Sequence, residues 1–482
     1  MKKTSSLHSL GLAAQSTPSL GVFVTLDRPD LIPFVPKEAR GIELRLDLFP
    51  TMDIAKLENA ISSSPFPILL TLRKPSHGGE FPGTETARMT LIKRLLLLKP
   101  CFFDLECDMD PHFIKEVIFS YPDIGFIISY HNYKETPSDI EEIYKNMFRE
   151  GAFAYKIATF ANSVNDALRL LILSKKHPDL STIAMGEKGS FTRAIGSTLE
   201  NKIGYAYLTS KEALAPGQLS LKELIEFYRY GDSLPEANLY GLIGNPVESS
   251  LGHIYHNKRF EEKGQNALYV KMTVSENELT EFIPLAKKAG FKGLSVTAPL
   301  KEKILPHVDI TDPGSEKIGS VNTLAFTENS VIGANFDGQG ALDAVEESTY
   351  VKGKRLVIIG AGGTAKSVAF EAKKRGAFVL IAGRTNSKAE ELAAWLECEF
   401  SDISDIPTDY DILINTTPSP LPIDPTKIIA SALVMDVTYN PKHTLFLQKA
   451  LEAGCKVIYG EEMFVRQARK QSEFWDKKKP LR

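Results

Sequence analysis

The chain has 482 residues, a formal net charge of −3, 43% hydrophobic and 24% charged residues, the make-up of a globular protein. That balance leaves no basic stripe for nucleic acid, and no apolar run approaches the ~20 residues that a membrane helix needs. The four cysteines (Cys101, Cys107, Cys398, Cys455) and nine histidines show no zinc or HExxH spacing, so no metal is expected and the cysteines read as reduced packing residues of a cytoplasmic protein.

Residues 1–18 open with two lysines and several serines, and no acid precedes Asp27. They read as a flexible tail; a targeting remnant is the alternative. Short β-rich runs then begin at residues 21 (GVFVTL), 41 (GIELRLDL), 67 (PILLTLR), 101 (CFFDLEC), 124 (IGFIISYH), 152 (AFAYKIA), 180 (LSTIAMG) and 203 (IGYAYLT). Helix-like stretches such as ARMTLIKRLLLL and NSVNDALRLLILSKK separate them. Eight strands alternating with helices fit a (β/α)8 barrel over 19–230. A doubly wound sheet is the alternative, opposed by the lack of a Gly-rich phosphate turn before residue 230.

In the second run Ile42, Leu44 and Leu46 share one face and Glu43, Arg45 and Asp47 the other. Three charges on one face cost too much to bury for packing alone. They suggest a polar pocket lined by strand ends, against an antiparallel strand with one solvated face. Later runs add Arg73, Ser129, His131 and Lys156, the last among Ala152, Ala154 and Ala158. Barrel enzymes gather such groups at the C-terminal ends of strands. Desolvation and neighbouring arginines favour a neutral amine at Lys156, a nucleophile for ketones. The alternative is a surface lysine that buries only its stem.

Residues 231–238 read as a linker. The pattern restarts with LYGLIG (239), ALYVKM (267) and KGLSVTA (292), a lobe assigned to 239–340. A Rossmann lobe over 341–460 follows, because LVII leads into Gly360-Ala361-Gly362-Gly363-Thr364-Ala365 and then a helix, the strand-turn-helix context that brings backbone against a pyrophosphate. The next strand ends at Arg384 and Thr385 with Lys388 nearby; cations there favour the 2′-phosphate of NADP(H) over NAD. Residues 461–482 read as a helix returning to the 239–340 lobe. There is no internal repeat.

Two resemblances follow from these motifs. Glu43-x-Arg45, Thr71-x-Arg73, Ser129-Tyr130-His131, Lys156-Ile157-Ala158, Met185-Gly186, Arg193 and Ala215-Pro216-Gly217-Gln218 resemble type I 3-dehydroquinate dehydratase over about 20–228. The resemblance implies an imine (Schiff base) between Lys156 and the substrate ketone, with His131 as general acid and base. It also implies that Arg193 holds the substrate carboxylate, that Glu43, Arg45, Arg73 and Gln218 hold hydroxyls and orient the imine, and that the Ala215–Gln218 loop closes over the site.

Ser295–Lys301, Gly319–Thr323, Gly333–Gly338, Asn415–Pro418, Tyr439-Asn440-Pro441 and the stretch Gly460–Gln467 resemble shikimate dehydrogenase over about 239–475. The resemblance implies a Lys301/Asp337 dyad, with Ser250, Thr297, Asn322, Tyr439 and Gln467 at the substrate and Gly460 with the glycine turn, Arg384, Thr385 and Lys388 at the cofactor. Together they imply a fused enzyme that dehydrates 3-dehydroquinate to 3-dehydroshikimate and reduces it to shikimate with NADPH. A metabolite-sensing regulatory protein, a quinate-preferring second half and an inactive scaffold are the alternatives. Three residues depart from the patterns: His77 replaces a glutamate that often pairs with the histidine, Leu214 a serine before the Ala215-Pro216 loop, and Glu248 the first serine of S-x-S-x-S-P. Glu248 is expected to face solvent while Ser250 binds the acid.

Overall fold

A computed structural model describes residues 21–196, 203–208, 217–232, 234, 236–384 and 386–477. The 1–18 tail, Leu214, Ala215, Pro216 and Thr385 lie outside the described residues. Eight parallel strands form the first sheet: β1 (Val22–Leu26), β2 (Gly41–Arg45), β3 (Ile68–Thr71), β4 (Phe102–Glu106), β5 (Gly125–Asn132), β6 (Ala154–Phe160), β7 (Leu180–Met185) and β8 (Gly204–Tyr207). Each of the eight expected runs is a strand. Their order, β7-β6-β5-β4-β3-β2-β1-β8, is that of a barrel closed between β1 and β8. No ladder joins β7 to β8 among the described residues; Ile203 N instead donates to Ser181 Oγ at 3.2 Å.

Local sequence explains the connections. The helix Val164–Lys176 starts at Ser163, which forms a reciprocal capping box with Asp166, satisfying two amide donors. Its Val164, Ala167, Leu168 and Leu171 are buried at the spacing of one helical face. β1 is followed by a 3-10 turn, Pro29–Phe34, in place of a helix. β2 is shorter than its apolar run, because Leu46–Leu48 turns as a 3-10 helix and leaves Asp47 beyond the strand. Phe23, Leu69, Phe102 and Ile127 fill the barrel interior below the polar layer.

The second half has two six-stranded sheets. One, mixed, orders β9 (Asn238–Gly244), β10 (Ala267–Thr273), β11 (Phe291–Val296), β12 (Ile310–Thr311), β13 (Thr323–Phe326) and β14 (Val331–Ala334) as β10-β9-β11-β13-β14-β12. The other is all parallel: β15 (Arg355–Ile359), β16 (Phe378–Gly383), β17 (Glu399–Asp402), β18 (Ile412–Asn415), β19 (Leu433–Asp436) and β20 (Lys456–Ile458), ordered β17-β16-β15-β18-β19-β20. The order in which successive strands are added reverses between β15 and β18, and crevices open at such switch points. Leu356, Ile358 and Ile381 pack one face, Val357, Ile359 and Leu413 the other.

The last helix, Gly460–Lys477, returns to the mixed sheet: Trp475 Nε1 donates to Leu324 O at 2.9 Å and Gln471 Nε2 to Asn322 O at 3.0 Å. Contacts divide the chain into two units, Met1–Leu239 with Phe260–Val274 and Thr280–Gly290, and Tyr240–Arg259 with Ser275–Leu279 and Phe291–Arg482. Phe260–Val274 and Thr280–Gly290 thus group with the first unit, where Asn165 Nδ2 donates to Glu281 Oε2 (3.2 Å) and Lys175 Nζ to Ala289 O (2.5 Å). Among the described residues no helix is long and apolar enough to cross a membrane.

Candidate active sites

Inside the barrel, alternation on parallel strands stacks charged side chains that are distant in sequence. Arg73, just past β3, places Nη1 and Nη2 on the two oxygens of Asp104 from β4 at 3.0 and 3.1 Å. The same Nη1 lies 3.0 Å from Ser129 Oγ and 3.2 Å from His131 Nδ1, both on β5. Lys156 Nζ from β6 forms an ion pair with Asp104, lies 3.8 Å from Glu43 Oε1 and sits 4.7 Å above the Tyr205 ring. Glu43 is held by Thr25 Oγ1 (2.9 Å) and Thr71 Oγ1 (2.8 Å), and Arg45 lies on Asp47 at 3.0 and 2.8 Å. All of these charged groups are buried. Glu43, Arg45, Arg73, His131, Lys156, Arg193 and Gln218 line one cavity of about 50 Å³ with Thr25, Tyr133, Met185 and Tyr205.

Electrostatics follow from this packing. Burial alone would lower the Arg73 guanidinium pKa, but the charges of Asp104 and Glu106 outweigh it and raise it. Burial would raise Asp104, yet Arg73 and Lys156 hold it well below the carboxylate range. His131 is pushed well below its ordinary value, first by burial and then by the Arg73 and Lys156 charges, with Asp104 opposing. His131 is thus neutral near pH 7, the form a general base needs. Burial lowers Arg193 to about 10.

Arginines and desolvation were expected around Lys156; the carboxylates of Asp104 and Glu43 reach its Nζ as well. Nucleophilic attack requires that the Asp104 pair open. Asp104, Glu106 and Tyr205 were not singled out from the sequence, although Asp104 and Glu106 alternate in FFDLE as Glu43 and Arg45 do in GIELR.

In the second unit, Lys301 Nζ donates to Asp337 Oδ2 at 2.5 Å and to Thr364 Oγ1 at 3.1 Å. Asn322 Nδ2 donates to Asp337 Oδ1 (2.7 Å) and Gln467 Oε1 (3.1 Å). Asp337 is fixed further by its own amide, which donates to Asn335 Oδ1 at 3.0 Å. Tyr439 Oη donates to Ser250 Oγ at 3.3 Å. Glu248 is exposed and Ser250 half-buried. Thr297 is half-buried, with its amide on Ile243 O at 2.9 Å.

The adjoining cleft, about 980 Å³, is lined by Lys301, Gly360, Ala361, Gly362, Gly363, Thr364, Arg384 and Lys388, with Thr416 and Thr417 opposite. Gly360 has φ +117° and lies so near Thr416 that a Cβ would sit 2.6 Å from its Oγ1; the space off Gly362 is open. The helix Gly363–Lys374 begins at this turn, so its N-terminal amides face the cleft. Ala365 is buried in the lobe core, outside the lining. Gly460 also lies outside it, at the start of the last helix, where a Cβ would meet Thr438 O at 2.5 Å.

Comparison with known proteins matches residues 29–235 to the type I 3-dehydroquinase family, 242–324 to the shikimate dehydrogenase substrate binding domain and 343–446 to shikimate / quinate 5-dehydrogenase. The chloroplastic bifunctional 3-dehydroquinate dehydratase/shikimate dehydrogenase of Arabidopsis thaliana is 33% identical, covering 90% of this chain and 77% of its own. The shikimate biosynthesis protein AroDE of Chlamydia muridarum is also 33% identical, covering 91% and 90%. Shikimate dehydrogenase (NADP(+)) of Methanocaldococcus jannaschii is 38% identical over 50% of this chain and 92% of its own.

Proposed function

Because this chain belongs to the family of bifunctional 3-dehydroquinate dehydratase/shikimate dehydrogenases, we propose a residue-level division of its two reactions. The first half is a lyase that dehydrates 3-dehydroquinate, and the second an NADP-dependent oxidoreductase that acts on 3-dehydroshikimate. In this reading 19–230 is the dehydratase, 231–238 the linker, 239–340 the substrate lobe, 341–460 the cofactor lobe and 461–482 the returning helix. The observation that carries it is that one chain holds a buried lysine beside a neutral histidine and, separately, a lysine–aspartate pair at 2.5 Å beside a glycine-lined cleft.

In the barrel, Lys156 Nζ attacks the substrate ketone and water leaves, giving a protonated imine. His131 takes the proton from the adjacent carbon, and the electron pair moves toward the imine nitrogen. The resulting enamine expels the β-hydroxyl, to which His131 returns the proton, and water then hydrolyses the imine. Arg193 binds the carboxylate as a fork. Glu43, Arg45, Arg73 and Gln218 orient the hydroxyls. Asp104 holds Arg73 and Lys156 in register until substrate arrives.

The second-half cleft fits NADP(H): the open space off Gly362, the helix N-terminus and the cations Arg384 and Lys388 match a pyrophosphate and a 2′-phosphate. When bound, the cofactor supplies hydride. Lys301 delivers a proton to the new alkoxide and Asp337 orients Lys301. Asn322, Thr297 and Gln467 hold the remaining hydroxyls, Ser250 the carboxylate, and Tyr439 fixes Ser250. The proposed compartment is the cytoplasm, consistent with the free cysteines.

Borohydride added during turnover of 3-dehydroquinate is expected to fix a substrate adduct on the Lys156 peptide, absent from Lys156→Ala. An actively dehydrating chain whose Lys156 stays unmodified overturns the imine reading.

A further inference from the structure

The dehydratase reading uses His131 and leaves a second buried histidine unexplained. His77 ends the 3-10 turn Pro75–His77 after β3. Its ring lies 5.7 Å from the His131 ring, centre to centre, and 6.4 Å from that of Tyr130. His77 Nε2 is 3.4 Å from Asp108 Oδ2, an oxygen that also accepts Lys74 Nζ at 2.7 Å. His77 is 7% exposed, and its Nδ1 is buried with no hydrogen-bond partner.

The turn has little room to drift. Gly78, at φ +73°, sits where a Cβ would strike the Tyr133 ring, and a Cβ on Gly79 would lie 2.2 Å from Arg73 O. Asp47 Oδ2 accepts the Glu80 amide at 3.2 Å. Among the described residues, the hydrogen-bonding neighbour of the His131 ring is the Arg73 guanidinium, and no carboxylate bonds it. The charged and titratable groups around the two rings are Arg73, Lys156 and Asp104 on the His131 side and Asp108, Lys74, Tyr130 and Tyr133 on the His77 side.

We propose that His77 is a positioning residue for His131: seated on Asp108 and pressed beside the His131 ring, it fixes that ring's orientation and opposes its protonation before substrate binds. Charge on a ring this near disfavours a second positive charge on His131. The His77 charge acts on His131 in the same direction as Arg73 and Lys156, and against Asp104. The inference rests on the reading of His131 as the base of the barrel reaction.

The test is the pH dependence of kcat/KM for dehydration of 3-dehydroquinate in the full chain, in wild type, His77→Gln and His77→Glu. Removing the His77 imidazole should move the acid limb to higher pH by about half a unit, and a carboxylate in its place by about one unit or more. A residue that only packs the turn would lower kcat without moving the limb. Limbs that superimpose in all three proteins overturn the proposal; should His77→Glu not fold, His77→Asn takes its place and must move the limb upward. Borohydride trapping separates the two levels. A wild-type chain that does not trap at Lys156 refutes the underlying reading, whereas trapping with unmoved limbs refutes the role of His77 alone.

Discussion

Arg73 forks onto Asp104 through bonds of 3.0 and 3.1 Å, and the same carboxylate holds Lys156. All three are buried, so Asp104 compensates two cations that water cannot reach. Removing one partner of a buried ion pair leaves an uncompensated charge, at a cost of about 3–5 kcal/mol. Asp104→Asn is expected to lower the stability of the first unit by that order and to abolish trapping at Lys156. Urea unfolding followed by dehydratase activity is the check; an unchanged midpoint contradicts this role.

Lys301 and Asp337 form an ion pair at 2.5 Å, and the proposed proton delivery uses both. Asp337→Asn should reduce kcat for reduction of 3-dehydroshikimate by about 10²–10⁴-fold, the range expected for general acid–base groups. Dehydration by the same chain should stay within twofold of wild type, since that site shares no residue with the dyad. Assaying both activities on one preparation decides it, and a parallel loss of both would point to misfolding.

Arg384 lines the cofactor cleft, with no carboxylate within ion-pair distance among the described residues. Arg384→Ala should raise KM for NADPH about 10–100-fold, the worth of a charge-assisted bond of roughly 1.5–3 kcal/mol, and leave KM for NADH nearly unchanged. Equal effects on both cofactors would place the 2′-phosphate elsewhere.

Ser250 sits beneath Tyr439 while Glu248 is exposed. Ser250→Ala should raise KM for shikimate several-fold with little change in kcat, and Glu248→Ser should do neither. An unchanged KM in Ser250→Ala would remove Ser250 from the carboxylate site.

His256, against Ser472 and Trp475, is lowered to about 3 by burial and then by the Arg259 charge. Between about pH 3 and the ordinary value of 6.5 the unfolded chain binds a proton that the folded chain refuses. Stability therefore rises with pH through that window and is flat above it; His131, also lowered, acts in the same direction. From pH 6.5 to 5 the loss is about 2 kcal/mol for His256, at about 1.4 kcal/mol per unit. Thermal melts from pH 7 to 5 should show this slope, shallower in His256→Gln.

The barrel was legible because each strand carried its own signal: Ile42, Leu44 and Leu46 mark one face whatever lies beside them. Lys156 and His131 were legible as isolated polar residues on apolar runs. Their partners were less so, since Arg73 and Asp104 are 31 residues apart and meet only when β3 pairs with β4. Alternation in FFDLE pointed Asp104 and Glu106 to one face, but nothing local told whether that face was filled by cations. Gly460 was read as a cofactor contact by its motif, yet the helix it begins turns it toward Thr438, a tertiary constraint with no local trace. The grouping of Thr280–Gly290 with the first unit had no local trace for the same reason: the helix Leu279–Ala289 finds its partners, such as Asn165, more than a hundred residues upstream.

NADPH oxidation by the purified chain given only 3-dehydroquinate, with the product identified, tests the whole account. Oxidation with shikimate as product is the expected result, because in the proposed division Lys156 and His131 make the 3-dehydroshikimate that Lys301 and Asp337 then help reduce. Oxidation from added 3-dehydroshikimate but not from 3-dehydroquinate would contradict the first half of the account, and no oxidation from either would contradict the second.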